Sequence, residues 1–408
     1  MAYDRQLLAL KNRRNVLDII REKSPINKAE IAKLTGLSIP TVMKITDSLE
    51  RQQLICSIGR GESTGGKPPE MLEFVADALY IIGVDIGRCS VKVIIMDMGA
   101  QIYHRKEMST EGTEDVNRFL LRIVELVNTL IAEAELDTRK ILGIGVGMPG
   151  ILNTQEGKVI FSPNFMWQNV ELLRIFRERF SCPILMENSN RTMAIGEHWY
   201  GVSRGMNHVL NVNLGYGIGA AMLEGRHVKR GSSESSGELG HMILKKDGDI
   251  CSCGHRGCLE SISSGYAIAR RARQEIVAGR GQRILEETGG QLEKVEAKHV
   301  FFAAQAGDLT AQEIIKEAVE YLGMGIANCI NLIDPQMVVI TGGIMKSSDY
   351  FFEDLKREIR KHQMRYCAVN VDMRKGKLGE DATAIGAAVL PLRRFINRGA
   401  SVQAFTDL

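Results

Sequence analysis

Long apolar runs are absent from this sequence of 408 residues. No stretch approaches the roughly 18 uninterrupted apolar residues that a spanning helix needs. Charged side chains also interrupt the first thirty residues, where a secretion signal would need an apolar core. These absences exclude an ordinary membrane-spanning helix and a signal peptide. We therefore expect a soluble, cytoplasmic protein with no membrane insertion.

Net charge is small as well, with a formal value of +3 at pH 7. The chain is too long for one ordinary domain, and its mixture of 44% apolar and 25% charged residues excludes a disordered or fibrous protein. Its positive charge is unevenly placed. Residues 1–70 hold 12 Lys and Arg against 8 Asp and Glu, whereas residues 71–408 hold 40 against 41. A basic N-terminal segment suits a nucleic-acid reader, although many solvated helical faces carry as much charge.

Cysteine is scarce, and its distribution excludes a disulfide framework of the small secreted kind. Three of the eight cysteines lie between positions 251 and 258 of a long, cytosolic-looking chain. Such crowding favours a metal site.

The N-terminal segment is predicted to contain a helix-turn-helix. An amphipathic run with Val16, Ile19 and Ile20 on one face ends at Ser24-Pro25. Asn27 and Glu30 then have the spacing of a capping box at the start of a second helix.

A glycine turn leads into the predicted recognition helix. Gly36 suits a left-handed turn, Leu37 is expected to be buried, and Ser38 can cap a third helix with Pro40 in its first turn. Val42, Ile45 and Leu49 should face inward. The N-terminal residues of such a helix meet base edges in the major groove.

A β-wing is predicted after this helix, because two apolar segments flank a loop rich in glycine between positions 59 and 69. Arg60 and Lys67 would touch phosphate or the minor groove. The alternative is a generic helical subdomain followed by a linker. The residues that we expect to contact DNA are Ser38, Ile39, Thr41, Lys44, Arg60 and Lys67.

The remaining residues alternate apolar strands with amphipathic helices, which predicts an α/β body. Two cycles of strand, glycine turn and strand recur about 130 residues apart and suggest a duplicated fold with a cleft between two lobes. Each turn could cradle phosphate through its backbone N–H groups, or could equally be a tight hairpin that needs positive φ. The predicted segments are a hairpin of residues 80–85 and 91–97, a helix at 116–134, and strands at 141–148, 209–214, 220–223 and 337–341.

The strongest local motif joins His241 to the cysteines at 251, 253 and 258. Three thiols and an imidazole form a closed tetrahedral set of the kind that structural Zn²⁺ takes. His255 is a rival fourth ligand, less suited because it lies inside the short loop, and reduced cysteines without a ligand are the alternative to a metal. Glu238 and Glu260 flank the motif, so one ion would hold both carboxylates near each other, where they could accept hydrogen bonds from sugar hydroxyls. Taken singly, each carboxylate could be a surface or cap residue.

With these motifs, the chain resembles the ROK family (repressors, open reading frames and kinases), in its DNA-binding regulator branch. The resemblance rests on the zinc signature, on Gly147-Met148-Pro149-Gly150, on Glu187-Asn188-Ser189-Asn190, and on the winged helix with its loop. It implies a winged helix-turn-helix followed by a two-lobed, actin-like sugar-kinase body with a structural zinc site. It further implies sugar contacts by Gly150, Asn164, Asn188, Glu238, His241 and Glu260, with His241 bridging zinc and sugar.

The departures from the kinase pattern favour a sensor. Kinases of this family have an aspartate, the general base, where this chain has Ser189, and loss of a general base costs about 10²- to 10⁴-fold in rate. The phosphate motif Asp-x-Gly-Gly-Thr is altered, with Arg88 and Cys89 at its last two positions, and Tyr216 occupies a second phosphate turn. Gly342-Gly343 is retained, so residual nucleotide binding stays open. An active sugar kinase with an attached DNA-binding domain is the alternative.

We therefore predict a sugar-responsive repressor that binds a palindromic DNA operator as a homodimer or homotetramer and loses operator affinity when sugar binds. Control by a sugar-transport protein partner is also allowed by the resemblance. The expected domains are a winged helix at 1–75, a first lobe at 76–198 and a second lobe at 199–408.

Overall fold

A computed structural model describes residues 2–62, 68–111, 115–365 and 371–400. The chain divides into two compact units, the first formed by Met1–Asn188 with Ala384–Leu408 and the second by Ser189–Thr383. The domain boundaries expected at residues 75 and 198 stay a prediction.

The N-terminal part of the first unit is a winged helix-turn-helix, as the sequence predicts. Asn27 and Glu30 form the capping box, Gly36 is left-handed with φ of +69°, and the Ser38 side chain accepts from the Thr41 N–H. The strands of the wing form a three-stranded sheet in the order β1-β3-β2. The elements are α1 (Ala2–Lys23), β1 (Ile26–Asn27), α2 (Lys28–Thr35), α3 (Ile39–Arg51), β2 (Ile55–Arg60) and β3 (Glu70–Phe74).

The core of this winged helix differs from the expected pattern at a few positions. Val42 and Leu49 are fully buried, as predicted, but Ile45 and Leu37 are only half-buried. Thr46 is fully buried instead, and its hydroxyl donates to the Met43 carbonyl at 3.0 Å. A threonine can take a core position on a helix when the preceding turn satisfies its hydroxyl in this way.

The rest of the first unit is a five-stranded sheet in the order β11-β7-β4-β5-β6, covered by α4 and α5, with a small sheet β10-β9-β8 beside it. Strand β4 pairs antiparallel with β5 and parallel with β7, which confirms the predicted hairpin. The elements are β4 (Tyr80–Ile86), β5 (Ser90–Asp97), β6 (Ile102–Ser109), α4 (Val116–Glu133), β7 (Ile141–Met148), β8 (Ile151–Asn153), β9 (Lys158–Ser162), β10 (Trp167–Val170), α5 (Leu172–Arg177) and β11 (Ile184–Asn188).

The second unit repeats this strand order. Its five-stranded sheet runs β14-β13-β12-β15-β16, so in each unit the first strand pairs antiparallel with the second and parallel with the fourth. The duplication inferred from the glycine turns is therefore a duplication of topology. The elements are α6 (Ser189–Tyr200), β12 (His208–Leu214), β13 (Ile218–Glu224), β14 (His227–Val228), α7 (Glu260–Ser263), α8 (Gly265–Val277), α9 (Gln282–Glu286), α10 (Ala297–Gln305), α11 (Leu309–Ile333), β15 (Met337–Thr341), α12 (Ser348–His362) and β16 (Asp372–Lys375).

The C-terminal helix α13 (Ala382–Asn397) packs unusually closely on the sheet of the first unit. A Cβ at Gly83 would lie 2.0 Å from the Ala384 carbonyl oxygen, and one at Gly145 only 1.8 Å from that of Ala387. Glycines on β4 and β7 thus let the helix backbone rest directly on the strands. A helix seated this closely cannot shift without disturbing the sheet.

Within the part of the chain that the structure describes, no helix is both long and apolar enough to cross a membrane.

Candidate functional site

The first candidate site is the outward face of the recognition helix α3. Lys44 is exposed, Ile39 is 51% exposed, and Thr41 is half-buried. The Ser38 and Thr41 hydroxyls lie 2.8 Å apart, so both serve the helix cap as well as facing outward. The predicted residues of this helix therefore share one end of α3, where a recognition helix meets base edges.

Met43 is a residue of this face that the sequence reasoning missed. It lies one turn after Ile39 and is 45% exposed. Residues at i and i+4 share a helix face, so this spacing could have found it. Two exposed apolar side chains on a recognition helix suit contact with thymine methyl groups.

The wing is tied to the helix-turn-helix through Lys28, the first residue of α2. Its ammonium lies 3.0 Å from the Glu70 carboxylate on β3 and 3.9 Å from that of Asp47 on α3. Burial would lower the pKa of Lys28, but the hydrogen bond and charge of Glu70 raise it above its ordinary value. Arg60 is exposed at the end of β2. Lys67, the other predicted wing residue, lies outside the described residues.

The second candidate site is the cysteine cluster in the second unit. Ligand atoms of His241, Cys251, Cys253 and Cys258 all lie within 4.8 Å of one another. Gly257 makes the fold of this loop feasible, because its φ is +72° and a Cβ there would lie 1.6 Å from the Lys245 carbonyl oxygen. The four residues that the sequence motif singles out therefore converge on one point.

Distances within the cluster fit a tetrahedral ion. Bonds of about 2.3 Å to sulfur and about 2.05 Å to nitrogen place neighbouring ligands about 3.6 to 3.8 Å apart. The Cys253 and Cys258 sulfurs are 3.7 Å apart, and the Cys251 sulfur is 3.6 Å from Nδ1 of His241. His255 also brings its Nδ1 to 3.6 Å from the Cys253 sulfur, but the fourth member of the mutually close set is His241.

The thiols of the cluster differ in acidity. Partial desolvation of its sulfur by neighbouring atoms would raise the pKa of Cys253, but hydrogen bonds with the His255 backbone and ring and with the neighbouring thiols lower it to about 6. Burial and the hydrogen bond with Cys253 raise the pKa of Cys258 to about 12. A bound cation would stabilise all three as thiolates, which are the form that ligates metal.

One ring nitrogen of His241 faces the cysteine cluster, and the other faces a carboxylate. Its Nε2 lies 3.7 Å from Oε2 of Glu238, whose side chain stays 53% exposed. Neighbouring atoms desolvate the Glu238 carboxylate and raise its pKa, the Glu260 charge adds to the rise, and His241 opposes it. The structure thus brings Glu238, His241 and Glu260 together within the second unit, as the sequence predicts.

Glu260, at the start of α7, is held between two loops of the second unit. One carboxylate oxygen accepts from the Ile218 N–H at 3.0 Å, and the other accepts from the Ser252 hydroxyl at 3.2 Å. A Cβ at Gly217 would lie 2.5 Å from this carboxylate. Ser252, which the sequence reasoning did not select, therefore joins the metal loop to the carboxylate beside the glycine turn.

The other predicted sugar-contacting residues lie in the first unit. The Asn188 side-chain NH₂ donates to the Gly150 carbonyl at 3.0 Å, so this pair is in contact. Gly150 has φ of +127°, and a Cβ there would lie 2.5 Å from the Phe161 carbonyl oxygen. Asn164 is exposed on the turn between β9 and β10.

The positions that we expect to differ from the kinase pattern lie at the start of a helix or in turns. Ser189 is the first residue of α6. In the first glycine turn the Gly87 N–H donates to the Ser90 carbonyl at 2.9 Å, and in the second the Gly215 N–H donates to the Gly217 carbonyl at 3.0 Å. These two N–H groups are therefore used in hydrogen bonds that close their own turns, as in a tight hairpin. Tyr216 is exposed and packs on Tyr266 with ring centres 5.2 Å apart.

Comparison with known proteins agrees with both parts of the fold. A family model described as the ROK family matches residues 81–394, and one described as winged helix-turn-helix DNA-binding matches residues 10–55. The chain is 28% identical over 384 residues to a xylose repressor of Caldicellulosiruptor bescii, covering 94% of this chain and 96% of the relative. It is 32% identical over 314 residues to a glucokinase of Thermotoga maritima, covering 76% of this chain and 96% of that enzyme.

A solved structure shows the same architecture over the whole length. A ROK family transcriptional regulator, described as a homologue of the Escherichia coli Mlc protein, superimposes with a TM-score of 0.83 over 98% of this chain and 100% of that one, at 24% sequence identity. The family match spans the α/β body, and the winged helix precedes it. The chain therefore belongs to the ROK family, with an N-terminal winged helix-turn-helix joined to an actin-like sugar-kinase body.

Proposed function

We propose that this protein is a sugar-responsive transcriptional repressor of genes for carbohydrate uptake or catabolism. The winged helix binds a DNA operator, and the ROK body binds the sugar that releases it. One observation carries the proposal. This chain contains a capped recognition helix with an exposed outer face, and it also contains a carboxylate–imidazole group beside a cluster of metal ligands. The xylose repressor of Caldicellulosiruptor bescii, a relative along nearly the whole chain, supports this class of function.

The DNA contacts follow from the exposed face of α3 and from the wing. Lys44 supplies charge, and Ile39 and Met43 supply apolar contacts to bases. Arg60 on the wing adds phosphate or minor-groove contacts, and Lys67 keeps the same role as a prediction from the sequence; such contacts fix orientation more than sequence. A homodimer or homotetramer would present paired recognition helices to a palindromic operator.

Sugar hydroxyls would be bound by two groups of residues, each held within its own unit. Gly150, Asn164 and Asn188 are the contacts from the first unit. Glu238, His241 and Glu260 are those from the second unit, and their carboxylates can accept hydrogen bonds from vicinal hydroxyls. The sugar works as an effector only if it binds the two states of the protein with different affinity.

The metal of the cysteine cluster is proposed to be Zn²⁺ in a structural role. Three thiolates and one imidazole complete a tetrahedral shell without an open position for water. The ion would hold His241 and, through Ser252, the carboxylate of Glu260 in place.

A sugar-transport protein is a further proposed partner, to be sought by pull-down from cells grown on different sugars.

Operator binding is tested by selecting duplexes from a random library with the purified full-length protein at moderate salt. We expect the selected duplexes to share a palindromic consensus. We also expect D-xylose, D-glucose or N-acetyl-D-glucosamine to release the protein from these duplexes. Lys44→Ala should weaken binding to the selected duplex about 10-fold, because one base or phosphate contact contributes roughly 1 to 3 kcal/mol. Fluorescence anisotropy measures both effects.

A matched control is Lys294→Ala, which removes an exposed lysine from the second unit. It should leave duplex affinity within a factor of about two, as expected for a surface substitution outside the interface. The proposal fails if the wild-type protein selects no sequence from the library, with or without sugars.

The kinase alternative makes a separate prediction. Several relatives are kinases, including the Thermotoga maritima glucokinase, so phosphoryl transfer has to be measured directly. We expect no ATP turnover above background over hexoses, pentoses and N-acetyl sugars, because the Ser189 hydroxyl cannot act as a general base at neutral pH. A coupled assay of ADP release, run with an active glucokinase as positive control, checks this. Sugar-dependent turnover would favour an active kinase with an attached DNA-binding domain.

A further inference from the structure

The end of helix α13 presents bare backbone to the DNA-binding part of the first unit. The Ala400 N–H donates to the Phe395 carbonyl and the Gly399 N–H to the Ile396 carbonyl, both at 3.0 Å, which is a Schellman motif. Gly399 has φ of +79°, and a Cβ there would lie 2.7 Å from a methyl carbon of Leu10 on α1. The last turn of α13 is therefore seated directly against α1.

Arg13, on α1, joins this turn to the recognition helix. Its Nε donates to the Gly399 carbonyl, and its Nη2 donates to the Ala400 carbonyl at 3.4 Å. Its Nη1 donates to the Ser48 hydroxyl on α3 at 2.8 Å. One guanidinium thus connects α1, α3 and α13. The Gly399 and Ala400 carbonyls belong to the turn that follows the last helical residue, Asn397, and the rigid arginine fork suits several acceptors at once.

Gln52 completes the contact from the end of α3. With its amide oriented so that both neighbours are satisfied, it donates to the Ala400 carbonyl at 2.8 Å and accepts from Arg13 Nη2 at 2.7 Å. Burial, with repulsion from Arg51, lowers the pKa of Arg13. The guanidinium is thus partly removed from water. Its hydrogen bonds are therefore stronger than they would be at an exposed surface.

Helix α13 is suited to transmit a displacement to Arg13. The chain passes from the second unit into the first between Thr383 and Ala384, inside the first turn of this helix. The backbone of its first two turns, at Ala384 and Ala387, rests directly on Gly83 and Gly145. A displacement of its first turn would therefore move the strands under it as well, and would change whether the Gly399 and Ala400 carbonyls, just after the helix, reach Arg13.

We infer that Arg13 is a positioning residue that couples α13 to the recognition helix, so that the sugar response reaches the operator through this contact. The inference rests on the proposed function. With the contact made, α3 is held in the orientation that binds the operator. With the contact broken, α3 loses that support and specific affinity falls.

The test uses full-length protein and the duplex that the wild type selects from the random library. Arg13→Ala should weaken binding to that duplex about 10-fold, the scale of losing hydrogen bonds from a charged group. It should also reduce the further effect of the releasing sugar to less than about twofold, since the coupling is already broken. Affinity for a random duplex of equal length should not change, which separates positioning from a phosphate contact.

Matched variants sharpen the result. Arg14→Ala removes the same charge from the neighbouring position, where the guanidinium faces Asp18 at 3.6 Å, and should behave as wild type. Arg13→Lys keeps the charge without the fork and should recover part of the operator affinity.

Hydrogen exchange gives a reading that needs neither operator nor sugar. Arg13→Ala should raise amide exchange at residues 48–52 and 395–400 together, and Arg14→Ala should raise neither. Exchange that rises in only one segment, or wild-type operator affinity and sugar response in Arg13→Ala, overturns the inference. If the wild type selects no duplex, the proposed function fails, and the exchange measurement alone decides whether Arg13 couples the two helices.

Discussion

Cys253→Ser is expected to lower the melting temperature of the metal-loaded protein by about 6 to 12 °C. Cys253 is exposed, unlike the buried Cys251 and Cys258, so serine loses little burial free energy there. A structural zinc site contributes roughly 10 to 16 kcal/mol through four ligands, which gives about 3 kcal/mol for one of them. In a unit of this size, 1 kcal/mol shifts the melting temperature by about 2 to 4 °C.

Calorimetry with and without a chelator isolates the contribution of the ion. Chelation should lower the melting temperature of the wild type but have little further effect on Cys253→Ser, and metal content by mass spectrometry should fall in the variant. Cys89→Ser is the matched control, because it replaces another exposed thiol outside the cluster. A variant that retains wild-type stability, while chelation leaves the wild type unchanged, would show that the cluster is not stabilised by metal.

The local structure of the winged helix could be predicted because its signals are local. A capping box needs only Asn27 and Glu30 at the right spacing, and Gly36 marks a left-handed turn by its lack of a side chain. Burial of the core was less predictable, since Thr46 takes an inward position that a purely hydrophobic pattern gives to Ile45. Its hydroxyl bond to the preceding turn has no counterpart in a hydrophobicity pattern.

Contacts between distant parts of the chain could not be predicted in the same way. Arg13 and Gly399 are separated by 386 residues, and nothing in either neighbourhood indicates the partner. The glycines under α13 have the same limitation, because Gly83 and Gly145 look like ordinary strand glycines until the helix is seen against them. Spacing rules report contacts within one element, whereas these contacts depend on how the elements pack.

The metal cluster falls between these cases. The close spacing of the cysteines at 251, 253 and 258 is enough to predict a metal site. His241, ten residues before Cys251, belongs to the mutually close set. Ser252 was missed although it lies between two of the ligands. Its role depends on Glu260, whose carboxylate it bonds. A residue that positions another through a hydrogen bond has no signal of its own in the sequence.

Glu260→Gln is expected to weaken sugar binding by about 10- to 100-fold, because hydrogen bonds to a charged group contribute roughly 1.5 to 3 kcal/mol each. The carboxylate accepts from the Ile218 N–H and the Ser252 hydroxyl. Glutamine can preserve both contacts, since its oxygen still accepts the N–H and its NH₂ can donate to the hydroxyl of Ser252. The substitution therefore removes charge while the fold and the metal loop are retained.

Isothermal titration with the sugar that most raises the melting temperature, chosen from D-xylose, D-glucose and N-acetyl-D-glucosamine, measures the affinity directly. Operator affinity without sugar and metal content should match the wild type, so that only the response to sugar is lost. Glu313→Gln, which removes an exposed carboxylate from α11, is the matched control and should bind sugar normally. Because Glu260 is already fixed by Ile218 and Ser252, its orientation is set before the ligand arrives. Unchanged sugar affinity in Glu260→Gln, with metal content intact, would show that this carboxylate is a structural link between the two loops and not a sugar contact.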